Sequence, residues 1–201
     1  MDAACCSSCV TSIKAMMNSS RIKSPLLHML AGVLSVLFLL PSAALGQEAQ
    51  HVKEAELKAA FVFNFAVFTE WPADVLQGAA ILHLCAFSGN NMQAALSALS
   101  DKVVNGHRMR FRPLGISGNA SGCHILVLDA QDRERWPQLR KELGASSVLT
   151  VADDRAIGTS GAMIALGMDN KRIGFDVDLT AARQAGLNLS SKLLHLARSV
   201  Q

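Results

Sequence analysis

Two cysteines and two histidines are the residues of this chain whose types and spacing best suit chemistry. His83 and Cys85 stand two apart in a strand-like run, which puts them on one face, and Cys123 and His107 are candidates to join them. Thiolate and imidazole ligands suit zinc or copper, so a metal centre, and with it a metal-dependent enzyme, is one reading. A disulfide between Cys85 and Cys123 competes directly, because an oxidised pair has no thiolate to offer. His124 adjoins Cys123, but neighbours on a strand point to opposite faces, which argues against a Cys-His nucleophilic dyad. Asp153-Asp154 follows a strand and offers paired carboxylates for acid-base work. With no second acidic cluster and no nucleophile beside them, a helix-start or turn role is favoured.

Other candidates carry plainer readings. Ser88-Gly89-Asn90-Asn91 lies between a strand and a helix, where backbone N–H groups can hold an anion, yet it lacks the three-glycine fingerprint and the phosphate-loop lysine. A turn is preferred there over a small-ligand site. Arg108, Arg110 and Arg112 alternate and share one strand face, read first as solvated and second as a patch for an anion or acidic partner. His195 reads as a boundary histidine of a terminal helix. Asn64, set among Phe61, Phe65 and Phe68, is expected to be a buried hydrogen-bonding strut. These residues assemble no active site.

The elements that must position them follow from periodicity. Leu57, Ala60, Phe61, Phe65 and Phe68 recur at helical spacing over Val52 to Thr69, and Trp71-Pro72 predicts an end near Glu70. Strands are expected over Ala80 to Phe87, Arg108 to Pro113, His124 to Asp129, Ser147 to Val151, Ala162 to Gly167 and Arg172 to Val177, the last two joined by a hairpin turn at Met168 to Lys171. Helices are expected over Met92 to Leu99 and Asp132 to Leu143, and a closing one with Leu189, Leu193, Leu196, Ala197 and Val200 on one face. Alternating strands and helices followed by a hairpin predict one α/β domain, a Rossmann-like α/β/α sandwich with a mixed central sheet.

The first 46 residues read differently. An apolar run from Leu26 to Leu40 follows Arg21 and Lys23 and precedes the small residues of Pro41 to Gly46, the pattern of a secretory signal cut after Gly46. Its 15 residues fall short of the roughly 20 a helix needs to span a bilayer. No Leu-x-x-Cys box suggests a lipid anchor. Met16 or Met17 would serve equally well as a start, which leaves room for an over-long beginning, and Cys5, Cys6 and Cys9 leave with the leader. Residues 47–201 remain, with Cys85 and Cys123 alone. In an oxidising compartment two thiols in a small domain are most simply a disulfide, here closing a loop of about 39 residues worth on the order of 4 kcal/mol. Setting aside Lys14, Arg21, Lys23 and Asp2 from 19 basic and 16 acidic residues leaves 16 and 15, which is no nucleic-acid footprint.

Two stretches carry a resemblance. Leu57-Lys58-Ala59-Ala60-Phe61-Val62-Phe63-Asn64-Phe65 with Phe68 to Pro72, and Asp178 to Arg183 through Gly186 to Leu194, resemble the opening and closing signatures of the YfiR family. Leu84-Cys85, Gly122 to Leu126 and Val148 to Val151 fit its pattern between them. The resemblance implies an exported α/β domain, often dimeric, that acts without a cofactor or catalysis. In the family it implies, the partner is an inner-membrane diguanylate cyclase of the YfiN type, repressed through its periplasmic part so that cyclic di-GMP and biofilm formation fall. Cys85 and Cys123 match one family cysteine pair; this chain has no cysteine after Cys123, so a switch using a second bridge has no residues here. The family also suggests Trp71, Asp176 and Arg198 as a ligand- or partner-binding set.

The expectation is therefore a periplasmic regulator that binds an inner-membrane signalling enzyme, a diguanylate cyclase or another membrane sensor. The rival classes are a periplasmic small-molecule binding protein, with its ligand at Ser88 to Asn91 or beside Trp71, and the metal-dependent enzyme.

Overall fold

The computed structural model describes residues 44–76, 81–170 and 172–201. The apolar run of the expected leader and its three cysteines lie outside them. The described chain opens with helix α1 (Ala44–Val67), which runs through the expected cleavage point at Gly46. Ala59, Val62, Phe65 and Ala66 bury its inner face at helical spacing, and Phe65 meets Phe175 edge-on with ring centroids 4.9 Å apart. Asn64 is exposed rather than a buried strut, because the buried stripe passes to either side of it. The helix also stops three residues short of Glu70. Thr69 donates its hydroxyl back to the Phe65 carbonyl at 2.7 Å and leads into strand β1 (Thr69–Glu70), paired antiparallel with β9 (Asn188–Leu189).

A short helix α2 (Ala73–Leu76) leads toward β2 (Ile81–Phe87), the strand around which the main sheet is organised. After it come α3 (Gln93–Ser97), the short β3 (Val103–Val104), β4 (His107–Leu114) and β5 (Ile125–Leu128). The expected helix over Asp132 to Leu143 divides into a single 3₁₀ turn (Ala130–Asp132) and α4 (Trp136–Leu143), which takes Pro137 in its first turn where no backbone donor is needed. Then β6 (Leu149–Ala152), α5 (Arg155–Thr159), β7 (Ile164–Asp169), β8 (Arg172–Val177) and α6 (Leu179–Gln184) follow. The closing helix is only α7 (Ser191–Leu196). Extended backbone at Ser190 and Ala197 puts Leu189 in β9 and Val200 in β10 (Ser199–Val200), where neighbouring strands satisfy their backbones.

The eight-stranded sheet runs β10-β8-β7-β6-β5-β2-β4-β3. Strands β4, β2, β5, β6 and β7 are parallel, while β8 is antiparallel to β7 through the expected hairpin, whose Asn170 takes the left-handed φ of 47°. Alternation along β2 separates two cores. Leu82, Leu84 and Ala86 join the core beneath α1, α3, α6 and α7, and Cys85 and Phe87 join the core beneath α4 and α5. Every residue of β5 and β6 is buried, as parallel strands covered on both faces require. The result is a single α/β domain in the three layers expected.

Close approach of α5 to β7 depends on one glycine. A Cβ at Gly158 would lie 2.5 Å from that of Ala165. Gly158→Val is therefore expected to lower stability by about 1–3 kcal/mol in a denaturant titration, whereas an unchanged midpoint would show that α5 is free to shift.

Candidate functional site

Asp176 and Arg198, remote in sequence, meet at the β8–β10 end of the sheet. Arg198 N–H donates to the Phe175 carbonyl at 2.8 Å, fixing the residue just before β10. Its guanidinium donates to Asp176 Oδ2 at 2.5 Å, and Ser199 Oγ donates to Asp176 Oδ1 at 2.8 Å. Beneath the arginine, Gly167 of β7 is paired with Gly174 of β8. A Cβ at Gly167 would stand 2.8 Å from Arg198 Nη2, and one at Gly174 would stand 2.8 Å from Arg198 Cδ. The glycine pair thus forms a floor on which the side chain lies flat. Gly167, Asp176 and Arg198 border a groove of about 930 Å³, also walled by Arg140, Arg155 and the Gly158–Gly161 segment. Met168 lines it at 48% exposure, and Leu196 and Val200 on the adjoining segment are 69% and 44% exposed. Such a surface combines an oriented ion pair with apolar contact area, which suits recognition better than bond-making.

Trp71 does not join this group. It packs against the core on the other face of the sheet and lines a second groove of about 370 Å³ with Glu70, Leu76, Val104 and His107. Its Nε1 is buried with no hydrogen-bond partner among the described residues. Of the three candidates, then, the fold pairs two and sets the third apart. Gly167 and Gly174 are not singled out from the sequence; glycines inside two hairpin-linked strands are the signal that could have found the groove, because strand glycines often mark a close approach.

Cys85 and Cys123 form the expected disulfide, with Cα atoms 5.9 Å apart. Both are buried, and neither retains a thiolate for a metal. His83 and His124 stack with centroids 5.9 Å apart, and His124 Nδ1 accepts the His83 backbone N–H at 2.9 Å. Burial holds both imidazoles below the ordinary histidine range, reinforced at His83 by Arg112 and Arg110 and at His124 by His83. With folded values depressed, the unfolded chain binds more protons below about pH 6.5, so this contribution is complete above that pH and is lost as pH falls through the folded values. The denaturation midpoint is expected to drop between pH 7.5 and pH 5, and to drop less in His124→Asn, which keeps an acceptor for His83 N–H. Equal slopes for both proteins would remove the histidine pair as the cause.

The remaining candidates are structural. Asp153 takes Lys58 of α1 at 2.8 Å, while Asp154 caps α5 by accepting the Ile157 N–H at 3.1 Å and binds Arg133. The Arg133 guanidinium holds the Asp154 carboxyl below its usual range. The two acids therefore face different partners. In the loop Ser88 to Asn91, Asn91 N–H donates to Asp129 Oδ2 at 2.8 Å, and Gln131 Nε2 donates to the Gly89 carbonyl at 2.7 Å. This crevice lies between β2 and β5, where strand order reverses and ligands of open α/β sheets commonly bind. Here Asp129 and Gln131 already occupy it. His195 is exposed at the end of α7.

A family model described as YfiR/HmsC-like matches residues 55–198. No curated protein matches. Among solved structures, a conserved domain protein from Vibrio cholerae is similar with a TM-score of 0.44 and 11% identity over 73% of this chain, which spans 60% of that protein's length. The family match takes in the inner face of α1, the disulfide, Trp71 and the Asp176–Arg198 pair, and on it the chain belongs to the YfiR/HmsC-like family, a family of periplasmic regulators of cyclic di-GMP signalling.

Proposed function

We propose that this protein is a non-enzymatic periplasmic regulator that binds the periplasmic part of an inner-membrane diguanylate cyclase and shifts it toward its inactive form, lowering cyclic di-GMP. The observation that carries this reading is the family match across nearly all of the folded domain. Export by a leader removed after Gly46 fits it, as does the disulfide, and no helix among the described residues is long and apolar enough to cross a membrane. The contact face we assign is the β8–β10 edge, with Asp176 and Arg198 as its polar centre and Leu196 and Val200 as its apolar part; Trp71 serves a second contact on the other face. Regulation of this kind requires only that the protein bind one state of the enzyme better than the other.

Cross-linked capture from cells, read together with cellular cyclic di-GMP, tests it. The wild type should retain a membrane cyclase and lower cyclic di-GMP, and Arg198→Ala should lose roughly tenfold in retention, the scale of one well-placed charged contact. A folded wild type that retains no membrane protein ends the proposal. The groove's volume also supports a small-molecule reading, since it falls in the range of ligand clefts. Trp136, whose Nε1 donates to the carbonyl of the groove residue Ser160 at 3.2 Å, would report such a ligand by fluorescence.

A further inference from the structure

Among the described residues, the core beneath α4 and α5 takes in Cys85 and Phe87 of β2 but not Ile81 or His83, and Ile81 is 37% exposed. Toward the start of β2 and β4 the register sets Ile81 beside Arg108, His83 beside Arg110 and Cys85 beside Arg112. The side chains of Arg108 and Arg110 are 62% and 52% exposed. Their nearest anion, Asp101, stands 3.7 Å and 3.6 Å from them, too far for hydrogen bonds. Arg112 is held beneath them: its Nη2 donates to the Ser121 carbonyl at 2.5 Å and to Cys123 Sγ at 3.1 Å. Its Nε, and Nδ1 of the adjacent His83, are buried without partners among the described residues. The patch therefore holds two exposed guanidiniums and a third, half-buried one on the same strand face, with more donor capacity than their described neighbours consume.

We infer that the exposed arginine row of β4, beside the start of β2, is a docking surface for an extended acidic segment of a partner protein, its carboxylates meeting Arg108 and Arg110 with Arg112 behind them. The spacing selects such a ligand. Alternate residues of a strand repeat at about 7 Å, the same interval at which an extended segment presents every second side chain. Guanidinium and carboxylate match in geometry as well as charge. Strand addition at the neighbouring edge is not the route, because β3 pairs with the start of β4, Phe111 N–H is bound by Ser100 Oγ at 3.1 Å, and Pro113 has no N–H. The segment must lie on the face and be held through side chains. The disulfide supports the site indirectly, since Cys123 helps to fix Arg112. The surface lies on the half of the sheet away from Asp176 and Arg198, so it stands independently of the contact proposed there.

Fluorescence anisotropy of a labelled peptide Glu-Thr-Glu-Thr-Glu-Thr added to the purified protein tests the assignment, with inorganic phosphate and phosphatidylglycerol vesicles as separate probes. The wild type should bind the peptide, more weakly at higher salt, and Arg108→Gln/Arg110→Gln should raise Kd roughly tenfold with an unchanged melting temperature, both residues being exposed. No peptide binding by the folded wild type, or equal binding by the double variant, overturns the inference. So does binding of vesicles or phosphate without the peptide.

Discussion

Cys85→Ala/Cys123→Ala is expected to unfold with about 4 kcal/mol less free energy than the wild type. The bridged residues are 38 apart, and cross-linking them removes loop-closure entropy from the unfolded chain on that scale. Losses beyond it are expected to be small, because alanine leaves no polar group in the buried layer beneath α4 and α5. Arg112 loses the sulfur it contacts but keeps the Ser121 carbonyl. For a domain of ordinary stability the change is a large share of the total. Urea titration of both proteins without reductant measures it; a difference below about 1 kcal/mol would mean that the unfolded chain is already compact around these positions.

Phe65→Ala should cost about 3–5 kcal/mol. Phe65 is fully buried, with ring centroids 4.9 Å from Phe175 and 6.1 Å from Phe61, and it joins α1 to β8 through the middle of one core. Its removal strips one side of Phe175 of contacts and opens a cavity between a helix and a strand that other contacts hold in place. Because the two rings share one interaction, Phe65→Ala/Phe175→Ala should lose less than the sum of the single losses. The same denaturant series reads both quantities. A single-variant loss under 2 kcal/mol would show that α1 settles inward, and strict additivity would remove the ring contact as the source.

Much of this architecture could be read from residue order because the signals were local. Continuous apolar runs such as Ile125–Leu128 mark strands buried on both faces, and Cys85 with Cys123 were the only thiols left once the leader was set aside. The elements that escaped are those too short to have a period. Two-residue strands β1, β9 and β10 exist because distant backbones meet, and α5 and α6, of five and six residues, are announced only by their caps Asp154 and Asp178. Asn64 was misplaced because its neighbours are aromatic, while burial depends on helical phase. The candidate site was not legible in the residues themselves. Asp176 and Arg198 were named only through the family resemblance, and that Trp71 lies across the sheet from them, and that Gly167 and Gly174 make room for the arginine, are consequences of strand order.

The β1–β9 pair has a consequence for when this chain can fold. Glu70 and Asn188, joined by a hydrogen bond at 2.9 Å, are 118 residues apart, and the Ser190 N–H closes the same junction on the Phe68 carbonyl. Contacts of such long range form only after a large loop has closed, which slows folding and defers the final docking of α1 until the last segments are present. A ribosome still making residue 150 holds a chain that cannot complete its own sheet. Such a chain stays open until its last segments are made, which is the state that threading through a narrow passage requires if the protein is exported as proposed.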